Sequence, residues 1–535
     1  MNTRTSIRWM ALVLMGSATA MASEALRAEQ KAEALSLTLR KRVETKAGSG
    51  RFHAIVAPAQ WDTKKTAIIV CDVWDSHHCL NAVRRVGEMA PRLNRVLVEA
   101  RRRGVLIVHA PSDCMAAYKD HPARQNALKT PRSKSLPKDI GTWCNRIPAE
   151  EKGTYPIDQS DGGEDDDPAE HRAWAEKLQK MGRNPRAPWK SQVDVLQIDD
   201  GDVISDKGEE IWSVFEQRGI ENVVLAGVHT NMCVLGRPFG LRQMAKNGKN
   251  VVLMRDMTDT MYNPKMAPFV SHFAGTDLMI EHVEKFVCPT ITSDQILGGK
   301  PFRFRDDDRP TVAFVIGDDE YRTEASLPAF ASKYLIADYR AEFILDQEGA
   351  RDNLAGISTL KDADLLFVSA RRRVLPRSQV EALRGFVQSG KPVIGIRTAS
   401  HAFAPKTGAK IPEGREGWPG FDAEVLGGHY TNHHGAGPKV VVSFSPGASH
   451  PILEGIEPSR LIGHGTLYKV NPLAKTATPL LVGTIPGQNP EPVAWVNAPS
   501  TGHKVFYTSL GQFQDFEEPA FNKLLKNAVE WALSK

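Results

Sequence analysis

Gly227-Val-His-Thr-Asn-Met-Cys233 directly follows the apolar run Asn222-Val-Val-Leu-Ala226. A short apolar, β-branched run of this kind predicts a buried parallel strand. The residues after it, from Val234 to Met244, place a helix start near Asn231. A cysteine in the first turn of a helix sits where backbone N–H groups converge, and the helix dipole there favours the thiolate. Taken alone, a single cysteine is more often a small buried hydrophobe. A second element shifts the reading: Thr66-Ala-Ile-Ile-Val-Cys71 predicts another buried strand, and it ends at Asp72. An acid and a thiol at the carboxyl ends of parallel strands have the chemistry of a general base and a nucleophile.

Working outward, the strand–helix rhythm repeats. Val83 to Arg103 has helical spacing and closes at Gly104, Val105-Leu-Ile-Val-His109 is the next strand, and Asn250-Val-Val-Leu-Met254 follows Asn247-Gly248. This βαβ pattern predicts a parallel sheet covered by helices on both faces. Residues 115–190 interrupt it with Pro, Lys, Arg and Asp, including the acidic run Asp161 to Asp167. That run lacks the alternating ligands of a calcium loop and reads as a solvated insertion. A Gly/Pro-rich linker spans 297–309, and the rhythm restarts beyond it. Thr311 to Ile316, Ala363 to Val368, Pro392 to Ile396 and Lys504 to Thr508 read as strands, with helices from Arg377 to Ser389 and Ala520 to Leu533. The fold class expected is α/β: two doubly wound parallel-sheet, Rossmann-like three-layer domains in tandem, at 61–296 and 310–535.

A chain of 535 residues exceeds what one core usually fills. Its net charge of +5 is thinly spread, with no dense basic block, which argues against nucleic acid as a partner. Arg4 and Arg8 precede the short apolar run Met10 to Ala20, and Ala20-Met21-Ala22 presents small residues for cleavage. Residues 1–22 therefore read as a signal peptide, followed by an extension over 23–60. The expected location is periplasmic or extracellular, with no stable membrane insertion. Of the six cysteines, Cys79, Cys114 and Cys144 fall in loop-like sequence and read as possible bridge formers. A homo-oligomer is expected.

With Asp72 and Cys233 placed, residues 62–292 resemble the isochorismatase-like cysteine hydrolases. The resemblance rests on Ala67-Ile-Ile-Val-Cys-Asp-Val-Trp-Asp75, Gly227-Val-His-Thr-Asn-Met-Cys-Val234 and Asn250-Val-Val-Leu-Met-Arg-Asp256. It implies hydrolysis of a small-molecule amide, or a related C–N or ester substrate, with Cys233 as nucleophile and Asp72 as base. It also implies an oxyanion site in the backbone near His229 and Cys233, and a cis Val228–His229 peptide. The family's triad includes a lysine, whose place here falls near Asp199-Asp-Gly-Asp202; Lys190 and Lys207 are the nearest substitutes. Trp74, Asp75, His78 and Asn231 are expected to line the pocket. No cofactor is required, but Asp75 and His77 are candidate ligands for a divalent metal such as zinc, the alternative being a polar wall.

Residues 310–535 resemble the trehalose-utilisation (ThuA-like) branch of the glutamine-amidotransferase-like fold, through Gly390-Lys-Pro-Val-Ile-Gly-Ile-Arg397, Phe421 to His429 and Val505 to Gly511. A glutaminase of that fold needs a cysteine after the strand 392–396. Arg397-Thr-Ala-Ser-His401 stands there instead, and no cysteine occurs past Cys288. His401, His429 and His433 are the candidate site residues, with a carbohydrate-related ligand expected. Two alternatives stand beside the hydrolase reading: a catalytically impaired binding or scaffold protein, and a sugar-active second domain.

Overall fold

The computed structural model describes residues 34–499 and 502–534, so the signal segment expected at 1–22 lies outside the described residues. The chain forms two compact units. Among the described residues, one holds 34–41 together with Ala57–Asp307; the other holds Arg42–Val56 and those from Asp308 onward.

The first sheet holds β1 (Ala34–Glu44) and β2 (Phe52–Asp62), of which residues 42–44 and 52–56 belong to the second unit, together with β3 (Thr66–Cys71), β4 (Leu106–Ala110), β5 (Val203–Ile204), β6 (Asn222–Val228), β7 (Asn250–Asp259) and β8 (Thr290–Ile291). They join in the order β2-β1-β8-β7-β6-β3-β4-β5. Strands β3 to β8 pair in parallel, whereas β1 pairs antiparallel to β8. The sheet is therefore mixed rather than wholly parallel. In β1, buried Leu35 and Leu37 alternate with exposed Ser36 and Thr38, the period of a strand with one wet face. In β3 and β6 every residue is buried, as central strands covered on both faces require. The first helix, α1 (Leu80–Arg102), lays Val86, Met89, Leu93, Val96 and Leu97 on the sheet.

From β3 the chain moves outward through β4 to β5, and from β6 it moves the other way through β7 to β8. The carboxyl ends of β3 and β6 thus flank the point where strand order reverses, the usual position for a ligand crevice in such sheets.

The segment 115–190 interrupts the strand–helix rhythm and is largely exposed, as expected of a solvated insertion, but it is ordered and partly anchored. It contains α2 (Pro122–Lys129) and α3 (Pro168–Lys180), and it buries Glu150, Asp165 and Asp166. Asp165 meets Arg85 at 2.7 Å, and Asp166 accepts the backbone N–H groups of Leu80 and Asn81 at the start of α1. A charge run reads as solvated when its counter-charges are remote in sequence, and here they lie about 80 residues away. Nor do the loop cysteines form bridges: all six cysteines are free and buried. Cys79 directs its thiol at Asp165 and Asp166, and Cys144 at the carbonyl of Arg146.

The second unit carries β9 (Thr311–Gly317), β10 (Arg340–Leu345), β11 (Leu365–Ala370), β12 (Val393–Ile396), β13 (Val440–Phe444), β14 (Ile462–Gly463), β15 (Ala477–Thr484), β16 (Glu491–Asn497) and β17 (Val505–Thr508), in the order β10-β9-β11-β12-β17-β16-β15-β13-β14. The first five in that order are parallel and the rest antiparallel, so this sheet is mixed as well. Val312, Phe314 and Ile316 face one core with the C-terminal helix Pro519–Leu533. Ala313 and Val315 face the other, with the helix Arg377–Gln388. Period-two alternation between two apolar cores is what a three-layer domain demands of a central strand. Among the described residues no helix is long and apolar enough to cross a membrane.

Candidate active site

Asp72 follows β3 directly and is fully buried, with a left-handed backbone (φ 49°). Its Oδ1 accepts the Ser112 N–H at 2.7 Å, and its Oδ2 accepts Arg237 Nε at 3.1 Å. Cys233 follows β6 in a π-helical turn over Thr230–Val234, 9% exposed, and its thiol interacts with both Asp72 and Arg237. Arg237 lies one turn further on, its N–H donating to the Cys233 carbonyl at 3.0 Å. Acid, thiol and guanidinium therefore converge at the strand-order reversal.

The pairing of β3 with β6 sets this convergence. Cys71 stands opposite Gly227, and a Cβ on Gly227 would lie 2.0 Å from the Cys71 carbonyl oxygen. Gly227 also has φ of 117°, a region that side chains disfavour. Only glycine lets the two strand ends approach this closely. The Val228–His229 peptide is cis.

The electrostatics differ from the expectation of a dipole-lowered thiol. Burial pushes the Cys233 thiol up, the negative charge of Asp72 adds to this, and Arg237 works the other way. Cys233 lies in a short π-helical turn rather than at the start of a regular α-helix, and the next α-helix along the chain, Leu241–Lys246, starts beyond it, so the long helix dipole expected at the sulfur is missing. Burial also raises the Asp72 carboxyl, with Arg237 and the thiol opposing. The neighbouring imidazoles are neutral near pH 7: burial holds His229 down at about 3, and it pulls His77 well below its usual value. The positive charge at the site comes from Arg237.

Neither sequence-read lysine is that cation. Lys190 and Lys207 are both exposed. Lys190 lies beside Asp75 through its backbone N–H, and Lys207 opens the helix Gly208–Arg218 near Glu210. Sequence reasoning missed Arg237, whose signal was its place four residues after the cysteine, one helical turn away.

Trp74 stacks on Trp189 with ring centres 4.4 Å apart and donates Nε1–H to the Ser112 carbonyl. Among the described residues, Asp75 and His77 do not belong to a group of ligands close enough together to hold a metal ion. The Asp75 carboxylate is taken by Arg183 at 2.7 Å and by the N–H groups of Lys190 and Ser191, while His77 Nδ1 accepts the Cys79 N–H. His78 pairs with Glu164 at 3.1 Å. Cys79, Asp165 and Asp166 are close enough together to hold a metal ion. Their carboxylates are already held by Arg85, His272, His171 and the α1 amides, which makes the cluster a helix cap. Asn231 is a clamp rather than a pocket wall: its side chain exchanges two hydrogen bonds with the Met261 backbone and a third with Gln159.

A cavity of about 10 Å³ touches Asp72, Trp74, Ser76, His77 and His229. That is room for about one water. Ser76 Oγ and His229 Nε2 are buried without a hydrogen-bond partner. The segment 115–190 covers this region, through the Trp189 stack, Trp174 Nε1–H to the His77 carbonyl, and Tyr155 OH to the Asn231 carbonyl.

In the second unit, His401 lies in the turn after β12, stacked on Tyr430 at 4.5 Å, and with His433 it lines a cavity of about 320 Å³. His429 is exposed and lies outside that lining. The position after β12 is held by Arg397, in left-handed backbone (φ 47°), so no nucleophile stands there.

The first unit is thus an α/β domain with a buried acid, thiol and guanidinium at its strand-order reversal, and the second is an α/β domain whose corresponding turn carries an arginine. Residues 312–532 match the family model described as trehalose utilisation (ThuA). Solved structures similar to this chain include a ThuA-like protein from Bacteroides uniformis, at 17% identity and a TM-score of 0.34, covering 44% of this chain and 96% of the other. A cysteine hydrolase from Pseudomonas syringae pv. phaseolicola is similar at 14% identity and a TM-score of 0.27, covering 44% of this chain and 92% of the other. An isochorismatase family protein from Desulfovibrio vulgaris matches at 13% identity and a TM-score of 0.23, covering 42% and 94%. No curated protein matches this chain.

Proposed function

We propose that the first unit is a cysteine hydrolase acting on a small amide or a related C–N or ester substrate. The observation that carries this is the convergence of Asp72, Cys233 and Arg237, with Asp72 and Arg237 paired at 3.1 Å. As Sγ attacks the carbonyl carbon, the thiol proton passes to Asp72 and the C=O electron pair moves onto oxygen. Backbone N–H groups at His229 and Cys233 receive that oxyanion. Its collapse expels the amine or alcohol, which takes the proton from Asp72, and leaves a thioester on Cys233. Water then gives a proton to Asp72 and attacks the thioester, releasing the acid and restoring the thiol. Throughout, Arg237 keeps the buried carboxylate ionised between transfers.

A raised thiol suits this scheme, because the proton leaves only as the bond forms. The small cavity reaches Asp72 and His229 but not Cys233, so the scheme calls for movement of the covering segment to admit a small substrate to the thiol. Ser76 Oγ and His229 Nε2, unpartnered at the cavity, offer polar contacts to it.

The test is a panel of small amides and esters assayed with the wild type, Cys233→Ala and Asp72→Asn. Loss of turnover in both variants, with a thioester mass adduct trapped on the wild type, is the expected result. Turnover that survives Cys233→Ala sinks the proposal. The small size of the cavity and the absence of Cys233 from its lining favour a second reading, a binding module that does not use its thiol. In that case no member of the panel is turned over, yet a ligand still raises the melting temperature.

A further inference from the structure

The second unit has its own crevice. Glu320 and Tyr321 follow β9, Arg371 and Arg372 follow β11, and His401 follows β12; all line the cavity of about 320 Å³. From β9 the chain runs one way to β10 and the other way to β11 and β12, so this cavity too lies where strand order reverses. Its volume falls at the small end of the roughly 300–1,000 Å³ of ligand pockets.

The charges around it do not balance. Arg371 meets Glu320 at 2.8 Å. Among the described residues, Arg372 and Lys406 have no carboxylate within salt-bridge distance, and Arg372 spends its NH1 on the Ala404 carbonyl. Arg397 is the more telling case, being 2% exposed. Its guanidinium donates to the carbonyls of Thr466 and Ser509 and to two hydroxyls, and its Nε has no partner. It lies over the rings of Tyr321 and Tyr468, at 4.8 and 4.2 Å, and both rings line the cavity. A buried charge is costly unless an opposite charge accompanies it. Here, among the described residues, three cations stand at or behind one cavity with no carboxylate within salt-bridge distance of them. His401 adds no charge near pH 7, since burial and the arginines hold it down at about 3.

The rest of the lining says what carries the missing anion. Tyr430 stacks on His401 and lies 4.7 Å from Tyr468, a wall of rings suited to the C–H face of another ring. Tyrosine hydroxyls, Thr407 and Asn432 supply donors and acceptors around it. We infer that this cavity binds a monosaccharide-sized, polyhydroxylated ring bearing a carboxylate or phosphate, with its anion at Arg372 and Lys406 and its ring on Tyr430 and His401. This goes beyond the hydrolase reading and is independent of Cys233.

Calorimetry on the full chain tests it with glucuronate, glucose 6-phosphate, glucose and inorganic phosphate as probes. One of the two sugar anions is expected to bind at least about tenfold more tightly than glucose or phosphate, the effect of one charge-assisted contact. Which of the two binds separates a carboxylate site from a phosphate site. Arg372→Gln and the exposed Lys406→Glu should each weaken that binding by about tenfold, and added salt should weaken it further. Melting curves of the unliganded variants check that both fold. Glucose binding as tightly as the anions, no sugar anion binding at millimolar concentration, or unchanged affinity in both variants would each overturn the inference.

Discussion

Arg237 Nε stands 3.1 Å from Asp72 Oδ2 although 165 residues separate them in the chain. Asp72 is fully buried, and a carboxylate taken out of water with no opposite charge would hold its proton. The pair therefore decides whether the base beside Cys233 can act. Arg237→Met should lower kcat/KM by about 10²-fold, within the range of general-base effects. Arg237→Lys should recover part of that loss. Steady-state kinetics on the substrate found in the panel checks both, and equal activity in all three proteins would remove Arg237 from the mechanism.

The same pair shapes the pH profile. Activity needs Asp72 ionised, and burial raises its carboxyl above the ordinary 3.8. The rate should therefore rise with pH through that displaced value and fall away below it. Arg237 opposes the shift, so Arg237→Met should move the acid limb to still higher pH. Coincident acid limbs in the two proteins would show that another group governs this titration.

Glu150 lies in the segment 115–190 and contacts Arg242 at 2.7 Å and His282 at 2.8 Å. Burial opposes its ionisation, but the hydrogen bonds from His282 and Arg242 outweigh it and hold the carboxyl at about 2. The folded value is depressed, so its stabilisation is present above the unfolded value near 4.5 and is lost as pH falls towards 2. At neutral pH this amounts to about 3 kcal/mol. Glu150→Gln should lower the urea midpoint at pH 7 and change it little near pH 2.5. A difference that is constant with pH would refute the linkage.

Arg85 bridges two buried acids, Asp259 and Asp165, each at 2.7 Å. Replacing it with Met leaves two carboxylates buried without their shared cation. The expected cost is about 3–5 kcal/mol, the size measured when one partner of a buried pair is removed. Denaturant unfolding reads this directly, and a loss under about 1 kcal/mol would mean the acids find other partners.

Trp189 stacks over Trp74 beside the small cavity. Trp189→Ala should open that cavity, raising the rate at which iodoacetamide labels Cys233 and broadening the range of substrates accepted. Unchanged labelling would place the entrance elsewhere.

Sequence alone determined the strand–helix rhythm of both units, because central strands such as Thr66–Cys71 and Thr311–Gly317 are continuous apolar runs after their first threonine. It also singled out Asp72, which directly follows such a strand, and Cys233, in the first turn after another. Those signals are local, carried by a few consecutive residues. The edge strand Ala34–Glu44 and the antiparallel strands of 440–497 were less legible, being half wet and interleaved with turns. What only the tertiary structure decided was pairing across distance. It brought Arg237 rather than Lys190 or Lys207 to Asp72, made Asp166 of the acidic run 161–167 the cap of α1, and left all six cysteines as free thiols. It also left Arg397 buried at the turn after β12 with, among the described residues, no carboxylate within salt-bridge distance. Hydrophobic periodicity reports where one segment faces, whereas a charge's counter-ion is set by the topology that packs distant segments together. The fold was therefore largely legible along the chain, and the electrostatics that make a site were not.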